Sequence, residues 1–330
     1  MEINEEILKK SKNNIQIGAK KTNILMDKLA KEWMHIGSQI KDPKPLFGSI
    51  WHQGEVAILF SNTGKGKSIF AIQLADAISK GSSLLDSTIE KQKVLYFDFE
   101  MSTKSFQLRY STNNQNYYEF DEKLIRIEID RTKSLESRKE SFEELILKSI
   151  KTQVENYNPE VIIIDNITFL SAANEKSQEA LALMKLILDL SRKNSLSILL
   201  IAHTPKRDVY RPIQLEDLAG SKALSNFVDV CFCIGESVQS SKTRYVKQLK
   251  NRNHPIVYGA DNVINCSIQK NDSFLRFHFQ GYGYEKDHLR VEESDNRHSE
   301  ARVMKNSGKT NVDIGKHFGV SEKTIRNWLK

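Results

Sequence analysis

Between Val56 and Ala202 short apolar runs alternate with longer stretches whose apolar residues recur every three or four positions. Val56-Ala57-Ile58-Leu59-Phe60, Val94 to Phe99, Val161 to Ile164 and Ile198 to Ala202 are runs of strand length, rich in β-branched and aromatic residues. Between them, Ile69 to Ile78, the set Phe142, Leu145, Ile146, Ile150 and Val154, and the set Leu181, Met184, Ile187 and Leu188 carry the period of amphipathic helices. Val161-Ile162-Ile163-Ile164 is β-branched throughout, as a strand buried on both faces must be. This alternation predicts an α/β fold, a mostly parallel sheet covered by helices on both faces. After Phe227 the pattern turns to consecutive strands, Val228–Ile234, Arg244–Leu249, Val263–Ile268 and Phe274–Phe279. They predict antiparallel strands at one sheet edge.

The ends of the chain read differently. Residues 1–45 are polar and Lys-rich, with a weak helical pattern over Ile24, Leu29 and Trp33, and predict an arm or subunit-contact segment. Pro43 and Pro45 end it, and the core is expected over 46–283. Residues 284–296 are charged without apolar periodicity and read as a linker. Residues 297–330 have an apolar pattern of their own and predict a small all-α module.

Composition narrows the class. With 39% hydrophobic and 28% charged residues among 330, the chain can bury one sizeable core plus a small module. No apolar run has the length of a membrane span, and a polar segment follows Met1 in place of a signal peptide, so a cytoplasmic protein is expected. Cys231, Cys233 and Cys266 lack the spacing of a zinc set and are expected as reduced core residues. A net charge of +7 is compatible with a polyanionic partner.

The chemistry begins after the first strand. Ser61-Asn62-Thr63-Gly64-Lys65-Gly66-Lys67-Ser68, followed by Ile69 and the helix, is a glycine-rich loop ending in Gly-Lys-Ser. Backbone N–H groups and a helix N-terminus cradle phosphates there, Lys67 reaches the β/γ oxygens, and the Ser68 hydroxyl ligates Mg²⁺. Ser61 stands where the consensus has Gly, a position that asks only for a small residue. The chain is therefore expected to bind ATP with Mg²⁺. Asp165 closes the strand from Val161, where a carboxylate would hold the Mg²⁺ shell. Glu100, after Phe97-Asp98-Phe99, is the candidate for polarising the attacking water, with Asp98 the neighbouring alternative. His203 ends the strand from Ile198 and is a candidate γ-phosphate sensor.

Taken with Gly54-Glu55, Leu95 to Ser102, Ala202-His203-Thr204, Gly220-Ser221-Lys222-Ala223-Leu224 before Asp229, and Lys250-Asn251-Arg252-Asn253, these motifs form a recognisable order. From about 46 to 280 the chain resembles the RecA-like P-loop ATPases of the hexameric helicase group, and within it plasmid replication helicases of the RepA type. That resemblance implies a RecA-like core, a homo-oligomeric ring of about six subunits, and a site between subunits completed by Lys250 and Arg252 of a neighbour. It also implies that loops after the Asp165 and His203 strands line a channel, with Lys206, Arg207 and Arg211 on single-stranded DNA. The group's usual N-terminal domain for primase or loader has no counterpart in the short arm, so processive unwinding is not implied.

In the tail, Val312, Ile314 and Phe318 share one helical stretch, Gly319 supplies a turn, and Ser321 caps a helix bearing Ile325, Trp328 and Leu329. A first helix is expected around Ala301 to Met304, and Gly315 stands where a small residue lets helices approach. The segment resembles the helix-turn-helix of recombinase and transposase DNA-binding domains. That likeness implies that Lys323, Thr324, Arg326 and Asn327 face the major groove of duplex DNA. The leading expectation is an ATP-hydrolysing, DNA-acting motor of plasmid or mobile-element replication. The alternatives are an ATP-switched DNA-binding regulator or recombination accessory, and a RecA-like ATPase acting on protein partners.

Overall fold

Alternation within Val56–Ser61 (β1) decides the layering. Ala57 and Leu59 face one hydrophobic layer, and Val56, Ile58 and Phe60 face the other. The same division holds in Val94–Asp98 (β2), Val161–Asp165 (β4) and Ser197–His203 (β5), so the sheet is buried on both sides. The computed structural model describes residues 25–85, 87–130, 132, 142–167, 177–204, 211–218, 221–290 and 293–329.

The main sheet adds Leu124–Ile127 (β3), Val230–Glu236 (β6), Thr243–Asn251 (β7), Val263–Asn271 (β8) and Phe274–Gly283 (β9). Its order is β9-β8-β7-β6-β1-β5-β4-β2-β3. From β6 to β3 neighbouring strands run parallel, and β6 to β9 pair antiparallel. The expected mixed sheet is therefore present. Strand β3 is an addition that the sequence reading lacked. Its four residues are all only half-buried, and Arg126 interrupts its apolar residues.

Contacts divide the chain into Met1–Pro43 and Lys44–Lys330. In the first unit, helix α1 (Ala30–Ser38) buries none of its residues. In the second, one layer is helix α2 (Lys67–Lys80), whose Phe70 is 1% exposed and packs edge-on against Phe47 and Phe277 at 5.0 and 5.4 Å between ring centroids. Burying such a side chain contributes about 1.5–3 kcal/mol. A short helix, α3 (Thr103–Arg109), follows β2. The opposite layer is α4 (Phe142–Tyr157) and α5 (Ser177–Asn194), through Ile150, Val154, Met184 and Ile187. A further helix, α6 (Ser221–Phe227), precedes β6. The three cysteines are buried in β6 and β8, and none forms a disulfide. Among the described residues no helix is long and apolar enough to cross a membrane.

The stretch 284–296, read as a linker, is not featureless. Glu285–His288 form a 3₁₀ turn in which Glu285 and His288 are buried. Glu285 accepts from Tyr245 Oη at 3.0 Å, the Ile213 amide at 2.8 Å and Lys247 Nζ at 2.5 Å. Polar residues that satisfy one another carry no apolar period, which is why the sequence did not reveal this anchor. The last three helices are α7 (Glu293–Asn306), α8 (Asn311–Phe318) and α9 (Glu322–Trp328). Ala301, Ile314 and Ile325 form their own small core with Met304, Phe318, Val320 and Trp328. A Cβ on Gly315 would lie 2.7 Å from the Val320 carbonyl oxygen, so only glycine fits at that crossing. Gly319 takes φ +69°, and Ser321 Oγ accepts from the Thr324 amide at 3.2 Å, as a turn and an N-cap require.

Candidate functional site

Register brings the chemistry together. Ser61 pairs with His203 across β1 and β5, and Asp98 with Asp165 across β2 and β4. In a parallel sheet, residues at the carboxyl ends of neighbouring strands gather at one rim, beside the glycine-rich loop. Lys67, Ser68, Asp98, Glu100, Asp165 and His203 all lie there.

The loop from Ser61 enters α2 through Gly64 (φ +74°) and Gly66 (φ +102°), conformations that L side chains rarely adopt. A Cβ on Gly66 would also lie 2.8 Å from Ile268 and 2.9 Å from Phe277, so the loop rests directly on β8 and β9. Space beside Gly64 is open. No side chain caps the first turn of α2 at Lys67, Ser68 and Ile69. Asn62 accepts from Thr204 Oγ1 at 2.6 Å and donates to Glu236 at 3.2 Å, while Lys65 pairs with Glu236 at 2.5 Å. Lys65 and Asn62 thus fasten the loop to β6, a role the sequence reading did not give them. Thr63 is exposed at its tip.

Lys67 is only 6% exposed, and its ammonium donates to the carbonyl oxygens of Ser61 (2.9 Å) and Asn62 (3.1 Å). Burial lowers its pKa from 10.5 to about 8, against the pull of Asp165 and Glu100. Asp165 is 2% exposed and accepts from Tyr96 Oη at 2.6 Å and from the Ser68 hydroxyl. Burial raises its pKa despite those two donors, and the neighbouring Asp98 and Glu100 add to the rise. Three carboxylates therefore share this rim with the Lys67 ammonium and the Arg126 guanidinium, which pairs with Asp98. A divalent cation between Ser68 and Asp165 suits that balance, and the uncapped helix start suits phosphate.

Asp98 and Glu100 are now distinguishable. Asp98 is buried and bound by Arg126, through Nε at 2.9 Å and a guanidinium nitrogen at 2.8 Å. It also accepts from the Met101 amide at 2.8 Å, which shapes the turn carrying Glu100. The side chain of Glu100 is half exposed and takes a hydrogen bond from Asn166 Nδ2. Asn166 Nδ2 also lies 2.8 Å from His203 Nε2, and His203 Nε2 lies 3.2 Å from Glu100. The carboxylate needs a donor, so Asn166 offers its amide, and His203 Nε2 accepts from it with the ring proton on Nδ1. That Nδ1 is buried without a hydrogen-bond partner among the described residues. Tyr96, Asn166 and Arg126 were invisible as site residues in the sequence, because only register and strand pairing bring them to the rim.

Lys250 and Arg252 lie elsewhere. Strand β7 runs antiparallel to β6, and its end pairs Asn251 with Val230, itself opposite Ala57 near the start of β1. Both basic residues are thus at the amino rim, about five strand steps or ~17 Å from the loop of the same chain. Lys250 Nζ donates to the carbonyls of Ser225 and Val228 at 2.6 and 2.9 Å, and Arg252 pairs with Asp229 at 3.2 Å. Lys206 and Arg207 lie outside the described residues. Arg211, expected on DNA, is ion-paired with Asp217. In α9, Lys323, Arg326 and Asn327 are exposed; Thr324 is half-buried, with its hydroxyl 2.9 Å from the capping Ser321. Arg326 also pairs with Glu322 at 2.7 Å.

Residues 26–209 match the AAA domain family known as AAA_25, more than half of the chain, and the chain belongs to that family. It is a P-loop NTPase with a RecA-like α/β core, and P-loop NTPases typically bind ATP with Mg²⁺. No curated protein sequence matches it. Among solved structures, the chain is similar to a KaiC-like protein from the hyperthermophilic archaeon Pyrococcus horikoshii OT3. The identity is 13% and the TM-score 0.46, over 69% of this chain and 91% of that one.

Proposed function

We propose that this chain is an ATP-hydrolysing, DNA-acting motor that works as a ring, docked on DNA by its C-terminal helices. The observation that carries the reading is the separation of charges across the sheet. Lys67, Asp165 and Glu100 sit at the carboxyl rim, whereas Lys250 and Arg252 sit at the amino rim of the same subunit. If Lys250 or Arg252 is to supply transition-state charge, it must then come from a neighbouring copy, with its amino rim against this subunit's carboxyl rim.

Within the site, Lys67 would exchange the Ser61 and Asn62 carbonyls for phosphate oxygens, and Ser68 and Asp165 would hold Mg²⁺. When bound, the ion neutralises charge on the phosphate oxygens. Glu100 orients and polarises the attacking water, and Asn166, itself bonded to His203, holds its carboxylate until nucleotide arrives. DNA recognition is supported by charge. Residues 297–330 hold eight Lys and Arg against three Asp and Glu, and so carry most of the chain's net +7.

Mixing tests the ring. Arg252→Ala subunits and Glu100→Gln subunits, each nearly inactive alone, regain part of the ATPase rate when combined if the finger acts on a neighbour. No recovery at any ratio refutes it. A second reading, an ATP-switched DNA-binding regulator without unwinding, is favoured by the concentration of positive charge in the C-terminal helices. Steady-state ATP hydrolysis without DNA, with single strands and with duplex, blanked by Lys67→Ala, separates the two. Stimulation by single strands supports the motor and calls for a forked-DNA unwinding assay; stimulation by duplex alone, or none, supports the regulator.

A further inference from the structure

At the amino rim, on the far side of the sheet from the nucleotide loop, His52 and His254 stack with ring centroids 4.1 Å apart and planes 32° from parallel. Glu55 lies beside them, and the three residues each offer one ligand atom within 4.8 Å of the others. His52 Nδ1 is buried, has no hydrogen-bond partner among the described residues, and stands 3.7 Å from Glu55 Oε2. That distance is within ion-pair range and longer than a hydrogen bond, and a buried imidazole nitrogen without a hydrogen bond is costly.

The surroundings are built around that gap. Glu55 is 5% exposed, and its carboxylate is oriented by two donors, the His52 amide at 2.9 Å and Asn253 Nδ2 at 2.8 Å. The loop after β7 is turned by Asn251 Oδ1, which accepts from the amides of Asn253 (3.1 Å) and His254 (2.9 Å). Metal-ligating side chains are commonly fixed by such outer hydrogen bonds. Two imidazoles and one carboxylate match a tetrahedral zinc site with a fourth position left to water. Bonds of about 2.0–2.2 Å require ligand atoms about 3.3 Å apart, so from 3.7 Å for His52 and Glu55, and no more than 4.8 Å for any pair, the three must draw in by at most about 1.5 Å. The exposed His254 is free to supply most of that movement.

We infer that His52, Glu55 and His254 bind one zinc-class divalent cation, distinct from the Mg²⁺ at Ser68 and Asp165. The cation ties the start of β1 to the segment that carries Lys250 and Arg252. The binding site does not depend on the finger reading of those two residues, and its test does not use ATPase activity.

The test uses the full chain, stripped of metal with a chelator and titrated with Co²⁺ alone, without nucleotide. Expected are one equivalent of tightly bound cobalt with the visible absorption of a four-coordinate ion, and one equivalent of zinc by metal analysis. Both persist in Asp165→Asn and both are lost in His254→Ala and in His52→Ala. His254 is at the surface, so its variant folds and keeps the wild-type far-UV dichroism. Absence of bound metal in the wild type overturns the inference. So does retention of the full equivalent in His254→Ala, and so does its loss in Asp165→Asn, which would assign the ion to the nucleotide site.

Discussion

Nucleotide affinity is expected to fall as pH rises through about 8, and Lys67 is the reason. Its ammonium is buried against the carbonyls of Ser61 and Asn62, and burial lowers its pKa from 10.5 to about 8. Phosphate oxygens need the charged form. At pH 7 roughly nine-tenths of empty sites carry that charge, and at pH 9 only about one-tenth do. Binding at pH 9 must therefore recruit a proton, which weakens affinity about tenfold, or ~1.4 kcal/mol. Calorimetric titration with a non-hydrolysable ATP analogue, in buffers of different ionisation heat, reads both quantities. Proton uptake per nucleotide should climb from about 0.1 at pH 7 to about 0.9 at pH 9. Lys67→Arg keeps a charged group across this range, so its affinity, whatever its level, should be flat. The sign for folding runs the other way. The unfolded chain holds this proton up to 10.5 and the folded chain sheds it near 8, so between these values the empty protein gains stability as pH rises. Constant affinity and constant proton uptake from pH 7 to 9 in the wild type would refute the placement of Lys67 as a buried, proton-linked phosphate ligand.

Three further outcomes are expected. Glu100→Gln keeps nucleotide affinity and loses about 10²–10³-fold in turnover; a single-turnover rate within a few-fold of wild type would remove Glu100 from the chemistry. Asp229→Ala takes away the carboxylate that holds Arg252 at 3.2 Å and the Val56 amide at 3.0 Å. It should cut the maximal ATPase rate about tenfold or more while nucleotide affinity stays near wild type, and a rise in KM alone would contradict this. Gly315→Ala forces a Cβ to 2.7 Å from the Val320 carbonyl and should destabilise the C-terminal helices by about 1–3 kcal/mol. The prediction is weaker duplex binding by gel shift with DNA-independent ATPase intact; unchanged binding would mean those helices tolerate the contact.

What was legible in the sequence is what periodicity and local motifs encode. Val161 to Ile164 could only be a doubly buried strand, and Gly64, Gly66, Lys67 and Ser68 sit where chain order alone puts a phosphate loop. Asp165, Glu100 and His203 were found because strand ends are visible in one dimension. Asn166 was not, since its value lies in reaching both Glu100 and His203, residues 66 and 37 positions away. Tyr96 reads as one more apolar strand residue until Asp165 is set opposite its hydroxyl. The buried Lys247–Glu285 pair was read as part of a charged edge strand and a linker, because satisfied charge and solvated charge look alike in a sequence.

Strand β1 runs from one rim of the sheet to the other. Ser61 at one end of β1 accepts from Lys67, and the amide of Val56 at the other end donates to Asp229, the same carboxylate that pairs with Arg252. A strand hydrogen-bonded on both sides to β5 and β6 moves as a unit with its neighbours and has little freedom to stretch. Any displacement of the loop on gaining phosphate would pass along β1 towards the group that holds Arg252, about 17 Å away. If Arg252 serves the next subunit, each site's occupancy bears on its neighbour's finger through six residues of strand and one aspartate. Coupling of that kind needs no mobile domain, only an interface that sets the amino rim of one copy against the carboxyl rim of another.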